Sequence, residues 1–422
     1  MPKKHYEWGY DGSVPEIGEH SLAKHRIIED YVRRYIEILS ANPRQSQLNL
    51  TIVDGFCGGG LYTFKNEVVP GSPLILLRTV RETEAKIKIT RRKDFKINAD
   101  FFFIDEALPH CNFLKNEIEH SEFKGELGKS IKIIVGQFET KATDIIRFIK
   151  NKGKAHRSLF FLDQYGWSDI SLGTIRKIIN ELSYPEVLLT FAVDSLINYL
   201  NENLAGSRSL LSLELNRSDV QELLNRKREA GWRYLIQNEL YRHIQNCTNA
   251  KHYTPFFIKS PKSGRSYWLL HLSKHVRARD EMATLHWDKQ NHFVHHGKSG
   301  FHALGFDPSK DILEQFNLFD FNEINRIHSV DATTEQIPKL INDDKLWNSQ
   351  GVSVEDIFSR LSNNSPVTKI IACEALIKLR KYNEVTIITK DGKPKPRANA
   401  MKWEDRIILP RQTNFLSIPK KE

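Results

Sequence analysis

A chain of 422 residues, 40% hydrophobic and 27% charged, is too long for one ordinary domain and carries enough apolar material for a sizeable core. Its 62 Lys and Arg against 52 Asp and Glu leave a formal charge of +10, which favours an anionic partner, nucleic acid first. Cys57, Cys111, Cys247 and Cys373 form no C-x-x-C pair, which argues against a disulfide framework or a zinc site and makes a cytoplasmic protein the expectation. The N-terminal "MPKKHYEWGYDG" has no apolar core, and no run approaches the roughly 20 apolar residues of a membrane span.

In chain order, "LAKHRIIEDYVRRYIEILS" (22–40) places Ile27, Ile28, Tyr31, Val32, Tyr35, Ile36 and Leu39 at helical spacing and predicts an amphipathic helix. Apolar runs follow at 48–56, 99–107, 131–138, 158–167 and 186–195, separated by helical patterns. Continuous apolar runs suit strands buried on both faces, and their alternation with helices predicts an α/β, doubly wound, Rossmann-like sheet. Residues 200–250 read as a helical insertion, and "KHYTPFFIKSPKSGRSYWLLHLSKH" as an antiparallel hairpin around "SPKSG". Together, residues 1–290 are expected to form this domain and 291–349 a helical and loop connector. Residues 350–422 carry a capping pattern at Ser353–Asp356, a second helical stretch, and a strand, Asp391-Gly392 turn and strand. Helices followed by a hairpin predict a winged helix-turn-helix. With ten Lys or Arg against five Asp or Glu in 381–422, its wing is basic.

Three of the runs end in an acid before a turn: Asp54, Asp105 and Asp163. In doubly wound sheets ligands sit outside the carboxyl ends of the strands, where these acids gather. The first is followed by "GFCGGG", holding Gly55, Gly58, Gly59 and Gly60. No Lys-Ser/Thr pair completes a P-loop, and the spacing is not G-x-G-x-x-G, so nucleotide hydrolysis and dinucleotide binding are disfavoured. Asp54, Phe56, Gly58 and Gly60 instead meet D-x-F-x-G-x-G, the first motif of class I methyltransferases. There the glycines let backbone approach S-adenosyl-L-methionine and the acid accepts from its ammonium group; a tight structural turn is the alternative. Asp105 is the type of group that accepts two ribose hydroxyls, with Glu106 its rival. Gln137, or the backbone of 136–138, would lie beside the adenine.

The fourth run carries "LDQYGW". Methyltransferases of exocyclic base amines place [DN]-P-P-[YFW] here, the acid accepting from the amine and the aromatic stacking on the base. Asp163, Gln164, Tyr165 and Gly166 resemble the D-P-[FY]-G variant of tRNA guanine-amine methyltransferases, with Gln164 in place of the proline. Asp163, Gln164 and Tyr165 are therefore the candidate catalytic residues, and a metal is not required. The blocks "LAKHRIIEDYV", "TIVDGFCGGGLY", "GSPLILL", "FFFIDE", "FFLDQYGWSDISLGTIRKI", "EVLLTFAVDSLINYL" and "YWLLHLSKHVRARDEM" resemble the three-Cys-motif partner family over roughly 20–290. The resemblance implies a Rossmann-like methyltransferase domain and a separate three-Cys-motif partner chain related to radical SAM enzymes. It also puts Lys24 and His25 on the methionine or target side. The last segment is similar to winged-helix modules of mobile-element conflict systems, so nucleic acid is the expected partner, with a non-catalytic cofactor-binding scaffold as the alternative function.

Overall fold

The computed structural model describes residues 6–9, 13–201, 207–229, 232–259, 266–289, 294–296, 318–320, 322–343, 351–361, 363, 365–395 and 401–408. They fall into two compact units, the first within 1–295 and 306–313, the second within 296–305 and 314–422.

In the first unit, helix α1 (Glu19–Leu39) leads to β1 (Gln47–Asp54), the hairpin β2 (Leu61–Phe64) and β3 (Glu67–Pro70), and α2 (Ser72–Arg91). Then come β4 (Lys96–Asp105), α3 (Leu108–Glu119), β5 (Ile131–Val135), α4 (Phe138–Asn151), β6 (Arg157–Leu162), α5 (Leu172–Glu181) and β7 (Tyr184–Phe191). After α6 (Val193–Tyr199), α7 (Arg208–Ser212), α8 (Arg217–Arg226) and α9 (Trp232–Thr248), the unit closes with β8 (His252–Lys259), β9 (Ser266–Ser273) and α10 (Val276–Lys289).

Seven strands form one sheet in the order β5-β4-β1-β6-β7-β9-β8. The β1, β4, β5, β6 and β7 pairings are parallel, while β9 runs antiparallel to both β7 and β8. The five apolar runs of the sequence are thus the five parallel strands. β1 shows why: of QLNLTIVD only the first residue is exposed, because helices cover both faces. On one side α1 packs on α2 and α10; on the other α5 packs on α4 and α9. The chain leaves β1 toward β4 on one side and returns through β6 on the other, so the order reverses at β1.

Two features escape the periodicity. The β2–β3 hairpin turns through Lys65 and Asn66, both at positive φ (50° and 67°). The N-terminal stretch joins that hairpin by a bridge of Glu16 with Thr63, Ile17 N–H donating to the Thr63 carbonyl at 2.9 Å. Four residues per strand are too few for a hydrophobic period to emerge.

The second unit is a winged helix-turn-helix. It holds helices Glu323–Asp343, Val354–Leu361 and Lys369–Lys381 and a three-stranded sheet of Val352–Ser353, Arg406–Ile408 and Thr386–Ile388. Helix Glu323–Asp343 falls in the stretch expected to be a connector, yet it packs on Lys369–Lys381 within this unit, with Arg326 paired to Glu374 and Lys378 to Asp331. Ser353 caps the second helix, its Oγ accepting from Asp356 N–H at 3.0 Å. Among the described residues no helix is long and apolar enough to cross a membrane.

Candidate active site at the strand ends

Register alone brings the three acids to one end of the sheet. Asp54 sits level with Phe103 of β4 and Phe161 of β6, Asp105 closes β4 level with Val135, and Asp163 follows the last residue of β6.

Asp54 is buried, at 1% exposure. Its Oδ1 accepts from Phe56 N–H at 3.2 Å, while Oδ2 has no hydrogen bond of ordinary geometry. Burial raises the carboxyl to about 7, against the Ser72 hydroxyl and the Phe56 amide, which pull it down. A buried carboxylate oxygen without a donor is an acceptor awaiting a partner.

Asp105 is already engaged. Its Oδ1 accepts from Ala107 N–H at 2.9 Å and from His110 Nδ1 at 2.9 Å, and its Oδ2 from Gly58 N–H at 3.0 Å. A carboxylate offers about four acceptor sites, so with three donors in place there is room for one hydroxyl rather than the two expected. Glu106, the rival, takes a bond from Gln137 Nε2 at 3.3 Å, so those two side chains stand together at the β5 end of the site.

The glycines face protein. A Cβ on Gly55 would meet Leu162 at 2.7 Å, on Gly58 or Gly59 the Trp8 indole at 2.8 or 2.6 Å, and on Gly60 Leu114 at 2.7 Å. Gly58 and Gly60 also hold φ of +60° and +86°, which disfavours any side chain. Packing and backbone conformation therefore account for the glycine run, and what approaches Gly58 and Gly59 is an indole. Phe56 packs, partly buried, against the core.

Asp163 carries the clearest geometry. Lys24 Nζ, from α1, donates to both of its oxygens at 2.6 Å, with the carboxylate side chain 37% exposed and the lysine 12%. Burial alone would raise the Asp163 carboxyl; Lys24, with help from the Thr190 hydroxyl and His25, outweighs it and holds the group below the usual carboxylate range. Lys24, expected on the methionine or target side, is thus the partner of Asp163. Tyr165 leaves 49% of its surface exposed. Gln164 points elsewhere: it is 2% exposed, and its Oε1 accepts from Asp169 N–H at 3.1 Å and Ile170 N–H at 3.2 Å, closing the loop after β6.

Four further residues join the site. His25 is buried with Nδ1 unpartnered, and burial lowers it to about 4, Asp163 opposing and Lys24 assisting, so it is neutral at pH 7. Its ring lies 5.9 Å from that of Tyr62, which packs edge-on to Trp8 at 5.4 Å. Trp8 meets the His110 ring at 4.5 Å. The aromatic "YEW" of residues 6–8 was the available sequence signal for Trp8; nothing local marks His110. Among the described residues no group of three or more His, Cys, Asp or Glu could hold a metal.

Residues 305–392 match the family model of the GMT-like wHTH domain. A comparison with curated proteins found no match. Among solved structures the chain is similar to a putative S-adenosyl-L-methionine-dependent methyltransferase of Methanococcus maripaludis, at 14% identity and TM-score 0.28 over 65% of this chain and 97% of that one. It is also similar to Trm1 from Pyrococcus horikoshii in complex with S-adenosyl-L-methionine, at 12% and 0.33 over 95% and 94%. A Legionella pneumophila protein matches at 11% and 0.34 over 59% and 84%.

Proposed function

We propose that the first unit is an S-adenosyl-L-methionine-dependent methyltransferase that modifies an exocyclic amine of a nucleic-acid base. One observation carries this: the strand-end carboxylate Asp163 is held ionised and accepts two N–H bonds from an amine nitrogen, that of Lys24, beside the exposed ring of Tyr165. That is the arrangement a substrate amine needs. The cofactor fits the remaining acids: the unpartnered Oδ2 of Asp54 suits an ammonium group, and the open acceptor site of Asp105 suits one ribose hydroxyl. When bound, S-adenosyl-L-methionine supplies an electrophilic methyl group.

The chain's own residues then position the acceptor. Asp163 takes a hydrogen bond from the target amine and aims its nitrogen, and Tyr165 offers a flat apolar face to the base. Lys24 shares Asp163 with the incoming amine and yields part of its contact. Gln164 fixes the loop that carries both Asp163 and Tyr165. The basic wing of the second unit would supply phosphate contacts.

A second reading, a cofactor-binding scaffold that brings a three-Cys-motif partner to nucleic acid, draws on the exposed face of helix Lys369–Lys381. Ile370 and Ile377 are exposed there, and Lys378 is already paired with Asp331. That face suits a protein surface better than base edges. Calorimetry with S-adenosylhomocysteine tests the first step: saturable binding, abolished in Asp54→Ala, is expected. Labelled methyl transfer to total cellular RNA or DNA then identifies the enzyme. Binding without transfer to either pool, with or without the partner, would favour the scaffold, and no binding would overturn both.

A further inference from the structure

The carboxylate that closes β4 uses its two oxygens differently. Oδ1 of Asp105 belongs to the entry of α3: it accepts from the N–H of Ala107, the N-cap residue, and from Nδ1 of His110 in the first turn, each at 2.9 Å. Oδ2 turns to the glycine loop and accepts from Gly58 N–H at 3.0 Å. An ionised carboxylate only accepts, so the histidine nitrogen that faces it carries the proton. With about two lone pairs on each oxygen, Oδ1 is full and Oδ2 has one left.

Packing holds His110 in that place. Its ring meets the Trp8 indole edge-on at 4.5 Å. Trp8, 6% exposed, is itself fixed: Nε1–H donates to the Leu61 carbonyl at 2.7 Å, and the indole fills the space over Gly58 and Gly59. Moving it would open a void over two glycines. A few residues on, the same segment pairs with β2, where Ile17 N–H donates to the Thr63 carbonyl and Thr63 N–H to the Pro15 carbonyl, at 2.9 Å each. Glu106, the other acid here, is exposed and takes a bond from Gln137, so a hydroxyl gains little there over water.

We infer that His110 is a specificity-determining residue for the methyl donor: by closing Oδ1 it restricts Asp105 to a single ribose hydroxyl, held at Oδ2. This deepens the methyltransferase reading and rests on it. A carboxylate with a lone pair open on each oxygen takes both hydroxyls of a ribose and loses affinity when either is missing. Here only one hydroxyl completes the acceptor set of Asp105, and a site loses most when a covered polar group is left unpaired. The class of donor accepted is therefore an adenosyl compound with one particular ribose hydroxyl intact, the other being replaceable by hydrogen.

Calorimetry on the full chain with S-adenosylhomocysteine and its 2′-deoxy and 3′-deoxy forms tests this. In wild type, removing one hydroxyl should weaken binding roughly tenfold or more, the worth of a hydrogen bond to a charged group, and removing the other less than about threefold. His110→Phe keeps a ring against Trp8 and frees the second lone pair of Oδ1, so both deoxy forms should then bind more weakly than the parent, by similar factors. His110→Asn, whose amide N–H replaces Nδ1–H, should restore the discrimination. A wild type that binds the parent and loses equally with both forms, or loses nothing with either, overturns the inference and leaves the methyl-donor reading standing. So does a His110→Phe that is folded by its melting curve and discriminates like wild type. If S-adenosylhomocysteine itself does not bind, the methyl-donor reading falls and the inference with it.

Discussion

Near the amino end of β7, Glu186 Oε2 accepts from the Tyr31 hydroxyl of α1 and from His271 Nε2 of β9, the latter at 3.1 Å, and all three residues are buried. At the carboxyl end of the same sheet, Asp54 keeps an oxygen without a donor, and Asp163 holds a lysine amine while 37% of its side chain stays exposed. The first carboxylate is satisfied by the fold; the second pair is left incomplete or exchangeable. A buried polar group closed on protein partners contributes to one native packing, whereas an open acceptor is where a ligand can complete the set.

That division can be broken by mutation. Glu186→Ala, which takes the shared acceptor from the Tyr31 hydroxyl and His271 Nε2 and leaves them only each other and the Ala278 carbonyl, should cost up to about 3 kcal/mol in denaturant melts. Its S-adenosylhomocysteine affinity per folded molecule should not change, and a folded Glu186→Ala that has lost the ligand would erase the distinction between the two ends. Asp54→Asn should do the reverse, stabilising the protein by up to about 4 kcal/mol at pH 8 while losing the ligand. The sign follows from the raised carboxyl: between its usual 3.8 and about 7 the folded state holds a proton that the unfolded state has released. Stability therefore falls as pH climbs through that window. His25 and His252, lowered by burial to about 4 and about 3, work oppositely below 6.5, because the unfolded chain takes protons there that the folded one refuses. The gap between Asp54→Asn and wild type should thus open from pH 4 to 7 and stay constant above, and a gap independent of pH would place the Asp54 carboxylate in contact with solvent.

Gln164→Ala sharpens the contrast within the site. Freeing two backbone N–H groups should cost about 1–3 kcal/mol, and methyl transfer should fall through the loop while the pH profile keeps its shape. A changed profile would return Gln164 to the chemistry. The smallest effect on stability is expected from Lys24→Met, about 1 kcal/mol, since the pair is partly open to solvent. Without the ammonium, burial raises the Asp163 carboxyl, so the acid limb of transfer should move to higher pH. An unmoved limb would show that Lys24 does not set the charge of Asp163.

The parallel strands were legible because each is buried on both faces and reads as an unbroken apolar run. The acids at their ends followed, since a strand must stop where its polar residues begin. Gln164 was less legible for the opposite reason: it stands where the motif resembled by "DQYG" has proline, and a side chain's direction depends on the loop that it closes, which Asp169 and Ile170 supply from five and six residues away. The glycine run was half legible. Its spacing marked a turn, while the side chains that demand its glycines come from Trp8, Leu114 and Leu162, far along the chain.

By itself the sequence determined the alternation of strand and helix, the doubly wound class, the winged helix and the three strand-end acids, because hydrophobic period and turn chemistry are local. Only the tertiary structure decided what each acid meets: an empty lone pair for Asp54, a histidine for Asp105, a lysine amine for Asp163. Those partners lie up to 139 residues apart in the chain, and their meeting is set by strand order and by the N-terminal segment packed over the glycines, neither of which leaves a period in the sequence.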